Sequence, residues 1–244
     1  MLERVNVQLE IDGERALRRL GLAGDGACRR AKARFGSLLG QAKALARPAG
    51  LFCLAAFASL PPKTRELCWA GRAAGGGAAG AENTAAGAEK QPAGLLVCLA
   101  SLGSLLSENV DQLFSQKDSM AAFTLDHLAT ELLFSLADQV SQAGALYVQG
   151  QGLRLSAGSA GKLSPGENGL PLSAQALLYA EMVKRGPIPC QLTEGFMLVP
   201  AKSLLFAYPL ESGPLEADLP VSPVQHDCAA CANADCYFRR ALSR

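Results

Sequence analysis

Three cysteines, Cys228, Cys231 and Cys236, fall within nine residues in the stretch HDCAACANADCYFRR, which runs from His226 to Arg240. The C-x2-C pair can turn both sulfurs toward one ion, and the third thiol lies within reach across a short loop. Zinc takes four ligands, and His226 is the residue at hand to complete the set. An iron–sulfur cluster usually takes a fourth thiolate, with Cys190 or a partner molecule as candidates. The spacing matches neither a standard zinc finger nor a common ferredoxin run. A redox-active thiol set and incidental thiols are the competing readings. Arg239 and Arg240 beside the cluster lower thiol pKa values, which helps a metal or a redox role. A second pair capable of chemistry is His127 and Glu131, four apart on a helical stretch. The sharp reading is an acid–base pair; the plain one is a surface or boundary contact.

The elements that must position these groups are bounded by composition. The chain has 244 residues, 49% hydrophobic and 18% charged, with a formal net charge of +1. That suits one large domain or two small ones with a proper core. Near-neutral charge gives no support for nucleic acid as the main partner, because such binders need a basic stripe. The charge is unevenly spread. Between Glu14 and Arg47 nine basic residues stand against Glu14 and Asp25, so this segment carries +7 and the remainder −6. On the helix predicted there, Arg29, Arg30, Lys32 and Arg34 read as a solvated face or as a docking surface for an acidic partner. The opening MLERVNVQLEIDGER is too charged for a signal peptide. The longest apolar runs fall short of the roughly 20 residues of a spanning helix, so no membrane and a cytoplasmic location are expected. Eight cysteines in that compartment are not expected to form disulfides. Cys28, Cys53, Cys68, Cys98 and Cys190 read as small core residues.

Along the chain, Val5, Val7, Leu9 and Ile11 alternate with polar neighbours, the period of a half-buried strand. Asp12 caps a short helix. An amphipathic helix follows over 27–46, then GLFCLAAFASL, a buried strand or short helix that periodicity alone leaves open. Residues 70–94 are mostly Ala and Gly; seven glycines argue for a surface loop inside one domain. GLLVCLASLGSLLSENVDQLF reads as a buried strand, a glycine turn and a helix. Asp118 or Ser119 caps a longer helix ending near Gly144, with a stripe through Leu125, Leu128, Ala129, Leu132, Leu136 and Val140. KLSPGENGLPLS is a loop, and Ser173 is expected to cap the next helix. IPCQLTEGFMLVPAKSLLFAYPLE reads as two antiparallel strands broken near Pro200 to Lys202. Strands in clusters between helices predict an α+β fold, a mostly antiparallel twisted sheet with flanking helices. Residues 1–225 form one domain in this reading, and 226–244 a Cys-rich basic tail.

Several segments, in order, resemble the S-adenosylmethionine-binding activation domain of vitamin B12-dependent methionine synthase, most of all its free-standing, single-domain members. ERALRRLGL resembles the family's early helix. LLVCLASLGSLLSENVDQLF with FTLDHLATELLFSLADQ resembles its strand–turn–helix and the helix that follows. KLSPGENGLPLSAQ resembles the loop that usually reads Arg-x-Ser-Pro-Gly-Tyr-Gly-Asp-x-Pro-Leu. QLTEGFMLVPAKSLLFAYPL resembles Leu-Thr-Glu-Ser-x-x-Met-x-Pro-x-x-Ser-Val-Ser, and the tail resembles the Cys-x-x-Cys-x-x-x-x-Cys ending. The resemblance implies an accessory role in reductive reactivation. Such a domain holds S-adenosylmethionine over a cobalamin presented by a partner, while an electron arrives from a flavodoxin-like donor. The partner is a corrinoid protein or the B12-dependent methionine synthase itself. The contribution is positioning, and no side chain is needed as nucleophile or base, in keeping with the absence of a catalytic constellation.

Carried over by position, the resemblance implies a ligand site at Lys162, Ser164, Pro165, Gly166, Glu167, Thr193 and Glu194. Two of these depart from the family pattern. Lys162 stands where an arginine pairs the ligand carboxylate, keeping the charge but losing the bidentate fork. Glu167 stands where a tyrosine offers an aromatic face. A family acidic residue on the long helix falls on Phe134. Pro-Gly is also what any tight loop selects. Two further readings follow: a zinc- or iron–sulfur-bearing redox protein that reactivates corrinoid enzymes without S-adenosylmethionine, and a non-binding pseudo-domain that only docks.

Overall fold

Strand β3 (Pro92–Ser101) is buried on both faces along most of its length, and the fold is built outward from it. The computed structural model describes residues 1–20, 22, 29–67, 92–155, 162–167 and 170–212. Before β3 come β1 (Leu2–Val5), α1 (Gly13–Arg19), α2 (Arg29–Leu45), β2 (Ala49–Ala56) and a helical turn α3 over 62–67. After it come α4 (Leu105–Ser115), α5 (Ser119–Gly150), β4 (Leu153–Leu155), α6 (Ala174–Val183), β5 (Gln191–Leu192), β6 (Leu198–Val199) and β7 (Ser203–Ser212). The main sheet has the order β1-β2-β3-β7-β4 with every pairing antiparallel. β5 and β6 form a separate hairpin.

Period-two alternation divides the central strands between two cores. Phe52, Leu96, Cys98, Ala100, Phe206 and Tyr208 face the layer of α2, α4 and α5. Leu51, Cys53, Leu95, Val97, Leu99, Leu205 and Ala207 face α6, Leu163 and the β5–β6 hairpin. A strand covered on both faces must be apolar at every position, which is why the run from Leu95 to Ala100 shows no alternation. The stripe expected on α5 is buried in full.

The structure corrects four expectations. First, α5 does not stop at Gly144 but runs on to Gly150. A Cβ at Gly144 would stand 2.9 Å from Leu96 Cδ2, so the glycine lets the helix press onto β3 and is a packing residue, not a stop. Second, the break at Pro200 separates two strands that do not pair with each other. β6 turns back on β5, while β7 crosses to β3 and β4. Third, Ser173 has helical dihedrals and makes no side-chain cap; the carbonyls of Pro171 and Leu172 already accept from Ala174 and Gln175. Fourth, residues 92–94, assigned to the Ala/Gly loop, belong to β3, and the rest of that loop lies outside the described residues. Asp12 and Asp118 cap their helices as expected, accepting from Arg15 N–H and Ala121 N–H. GLFCLAAFASL resolves as β2 followed by a 3-10 turn. Among the described residues no helix is long and apolar enough to cross a membrane.

Candidate functional site

The alternating run at the start of the chain leaves the sheet early. β1 ends at Val5, paired with Gly50; β2 begins one residue earlier, at Ala49, behind Pro48, which has no N–H to offer a longer ladder. Residues 6–12 keep the alternation without a partner strand. Val7, Leu9 and Ile11 still pack on the first core. Asn6, Gln8, Glu10 and Asp12 point the other way and are exposed. The strap is held to α5 by a side chain in place of a strand: the Gln139 amide accepts from Gln8 N–H at 2.9 Å and donates to Gln8 C=O at 2.8 Å.

Between this strap and α5 lies a cleft of about 670 Å³, within the ordinary size range of small-molecule sites. Glu10, Asp12 and Arg15 line one wall, and Glu131, Phe134 and Asp138 the other. Beside the cleft, Arg19 of α1 reaches Glu131 of α5 at 2.5 Å, both almost wholly buried. His127 Nε2 stands 3.7 Å from the same carboxylate. The expected surface or boundary contact between His127 and Glu131 is thus corrected: both are buried, and Glu131 is committed to Arg19. Burial holds the His127 pKa below its usual value, against the pull of Glu131. Burial also raises Asp138, opposed by the charges of Lys162 and Arg15.

Lys162 approaches this region from the sheet edge. β4 leaves β7 after Leu155 pairs with Leu210, and the next stretch of edge is taken by Leu163, which exchanges both backbone hydrogen bonds with Ala207 at 2.8 and 3.0 Å. The Leu163 side chain enters the second core. The neighbouring Lys162 therefore turns to the opposite face, where its amine lies 4.3 Å from the centre of the Phe206 ring. Its pKa is lowered, chiefly by burial, while Glu167 and Asp138 pull it back up.

Ser164 to Glu167 form one tight turn. The Ser164 carbonyl accepts from Glu167 N–H at 3.0 Å, and Gly166 at φ +89° follows Pro165, the residue order of a type II turn. Pro165 and Gly166 thus have conformational work that needs no ligand. Thr193 and Glu194 sit at the exposed tip of the β5–β6 hairpin. The Thr193 hydroxyl is spent accepting from Met197 N–H at 3.0 Å, and α6 anchors the tip through Gln175 to the Phe196 carbonyl at 2.8 Å. The two segments meet at Leu163 and Ala207, but their side chains part. The Lys162 amine lies on the first-core face, whereas Leu192 and Leu198 of the hairpin pack on the second. Among the described residues no hydrogen bond or ion pair joins Thr193 or Glu194 to Lys162.

The residues that wall the cleft were mostly missed from sequence. The available signal was the polar phase of the 6–12 alternation, which reads as solvent-facing in a chain considered alone. Cys228, Cys231, Cys236 and His226 lie outside the described residues, as do Cys28 and Cys68. Cys53, Cys98 and Cys190 are buried and free. Burial pushes the Cys190 thiol up to about 11, which disfavours it as a thiolate ligand. Among the described residues no group of His, Cys, Asp and Glu is arranged to hold a metal.

No family model matches the chain, and no curated protein matches it. Among solved structures it is similar to the crystal structure of the MetH reactivation domain bound to AdoHcy. The two share 16% identity at a TM-score of 0.54, over 92% of this chain and 81% of that one. This chain has that fold. A mostly antiparallel twisted sheet with flanking helices was the expectation, and the likeness agrees with it.

Proposed function

We propose that this chain is an accessory protein for reductive reactivation of a B12-dependent methyltransferase. It binds S-adenosylmethionine in the cleft between the 6–12 strap and α5, and it docks on a corrinoid protein. The observation that carries the reading is the likeness, over nearly the full chain, to a domain solved with AdoHcy, the demethylated form of S-adenosylmethionine. The cleft residues fit such a ligand. A zwitterionic amino-acid group needs both signs of charge, and Arg15, Glu10, Asp12 and Asp138 supply them. Lys162 is not itself a wall of the cleft, but its charge acts on Asp138, which is, and in this reading it is the candidate for the ligand carboxylate. When bound, S-adenosylmethionine supplies an electrophilic methyl group; the chain contributes its placement and the exclusion of alternative orientations. Ser164, Pro165, Gly166 and Glu167 act in this reading by fixing the turn that sets Lys162. Thr193 and Glu194, at the hairpin tip, are placed to meet a docked partner.

Isothermal titration of the full chain with S-adenosylmethionine, paired with a reactivation assay on an oxidised cobalamin methyltransferase and a flavodoxin-like donor, tests the reading. Saturable binding and faster recovery of the methyltransferase are expected. No heat and no recovery overturn it.

A further inference from the structure

The cleft changes character along its length. Gln8 is held by Gln139, while Arg19, further along the chain, meets Glu131 one helical stretch earlier on α5. The strap and α1 therefore run antiparallel to α5, and each lining residue has a level. Asn6 and Gln8 stand at the Gln142 end, and Arg15 stands at the Glu131 end, where its charge acts on Asp138. The first end is walled by carboxamides, whereas Glu10, Asp12, Arg15, Glu131 and Asp138 carry every charge of the cleft wall. Gln139 is committed, serving both backbone groups of Gln8 and reaching the Ser135 carbonyl at 3.3 Å. Among the described residues the side chains of Asn6 and Gln142 make no hydrogen bond. Gln142 is nevertheless half-buried.

We infer that Gln142 and Asn6 form the base-reading end of the cleft, taking the adenine of an adenosyl ligand while its amino-acid group lies at the Arg15 end. The inference rests on the reading above and specifies how the ligand is oriented. A carboxamide presents a donor and an acceptor side by side in one plane. That pair matches the amine and the neighbouring ring nitrogen on an edge of adenine. A zwitterionic amino-acid group placed among amides would leave both of its charges unmatched. In the reverse orientation a neutral base would displace water from Glu10, Asp12 and Asp138 and return no charge to them. Gln142 and Glu131 lie about 16 Å apart along α5. The two ends thus meet different parts of one elongated ligand.

Titration of the full chain with AdoHcy and with the analogue lacking the 6-amino group of its base decides the matter. Both ligands carry the same ribose and amino-acid groups. The wild-type chain is expected to bind AdoHcy about fivefold more tightly than the analogue. Gln142→Leu removes that difference by weakening AdoHcy alone, and Asn6→Ser reduces it in the same direction. Arg15→Met weakens both ligands by the same factor and leaves their ratio intact. Because none of the three side chains is buried, circular dichroism is expected to report the same fold in every variant. Equal wild-type affinities, a Gln142→Leu loss shared equally by both ligands, or a ratio that Arg15→Met changes and Gln142→Leu does not overturns the inference while leaving the cleft as the binding site. Binding of neither ligand, nor of S-adenosylmethionine, overturns the proposed function and this inference together.

Discussion

Gln139 holds Gln8 by both of its backbone groups, with its side-chain amide standing where a neighbouring strand would. One side chain thereby replaces a rung of sheet and fixes the strap that walls the cleft. Gln139→Leu leaves the Gln8 N–H and C=O to water and is expected to cost about 1 kcal/mol, since the bonds are solvent-accessible. The informative readout is hydrogen exchange. Amides over 6–12 should exchange markedly faster while β3 amides do not change; uniform protection in the variant would show that apolar packing of Val7, Leu9 and Ile11 suffices.

Arg19 and Glu131 form a buried ion pair between α1 and α5. Neutralising Glu131 takes from the buried Arg19 its ion-pair partner on α5, so Glu131→Gln is expected to lower unfolding free energy by about 3 kcal/mol in urea denaturation. The double replacement Arg19→Met with Glu131→Leu should recover most of that loss. If the double variant is as unstable as the single one, the pair contributes more than its desolvation penalty.

His127 makes stability depend on pH. It is surrounded by Glu131, Arg19, Asp126 and Lys202, and burial is the dominant influence, lowering its pKa from 6.5. The unfolded chain therefore takes up a proton as pH falls through 6.5 while the folded chain does not, so stability declines below that pH. Above pH 6.5 the residue is neutral in both states and contributes no slope. His127→Gln should flatten the melting temperature between about pH 6.5 and 5; an unchanged profile would place the dependence elsewhere.

Lys117 closes α4 in a left-handed conformation at φ 62°. Its N–H reaches the Phe114 carbonyl and the Asp118 N–H reaches Leu113, the paired bonds of a Schellman cap. A lysine there bears a backbone cost that glycine does not. Lys117→Gly is expected to stabilise the chain by about 0.5–1 kcal/mol, read as a rise in the urea midpoint.

Lys162 tests the ligand assignment. Replacing it with Met keeps the aliphatic contact on Phe206 but removes the charge, and should weaken S-adenosylmethionine binding about tenfold, or ~1.4 kcal/mol. Arginine at the same position restores a bidentate donor and should tighten binding. If both variants bind like the parent chain, the ligand carboxylate is held by another group, with Arg15 next in line.

The buried run of β3, the apolar stripe of α5 and the caps at Asp12 and Asp118 were legible because each depends on residues a few positions apart. Periodicity states which side of an element is covered, and a cap is satisfied within one turn. The same reasoning could not tell that Gly144 is a contact and not a stop, because that depends on Leu96 in another element. Nor could it foresee that β7 would cross to β3 while β6 turned back on β5.

By itself the sequence determined the mostly antiparallel sheet with flanking helices, the buried face of the long helix, and the irregular loop around Pro165 and Gly166, all consequences of local geometry and of which side chains avoid water. Only the tertiary structure decided that the polar face of residues 6–12 is a wall of a cleft, that Arg19 meets Glu131 across 112 positions, and that Lys162 turns away from the hairpin. Those outcomes depend on what lies opposite a residue. A charge or an exposed polar face acquires its environment only when distant segments have packed and displaced the water between them.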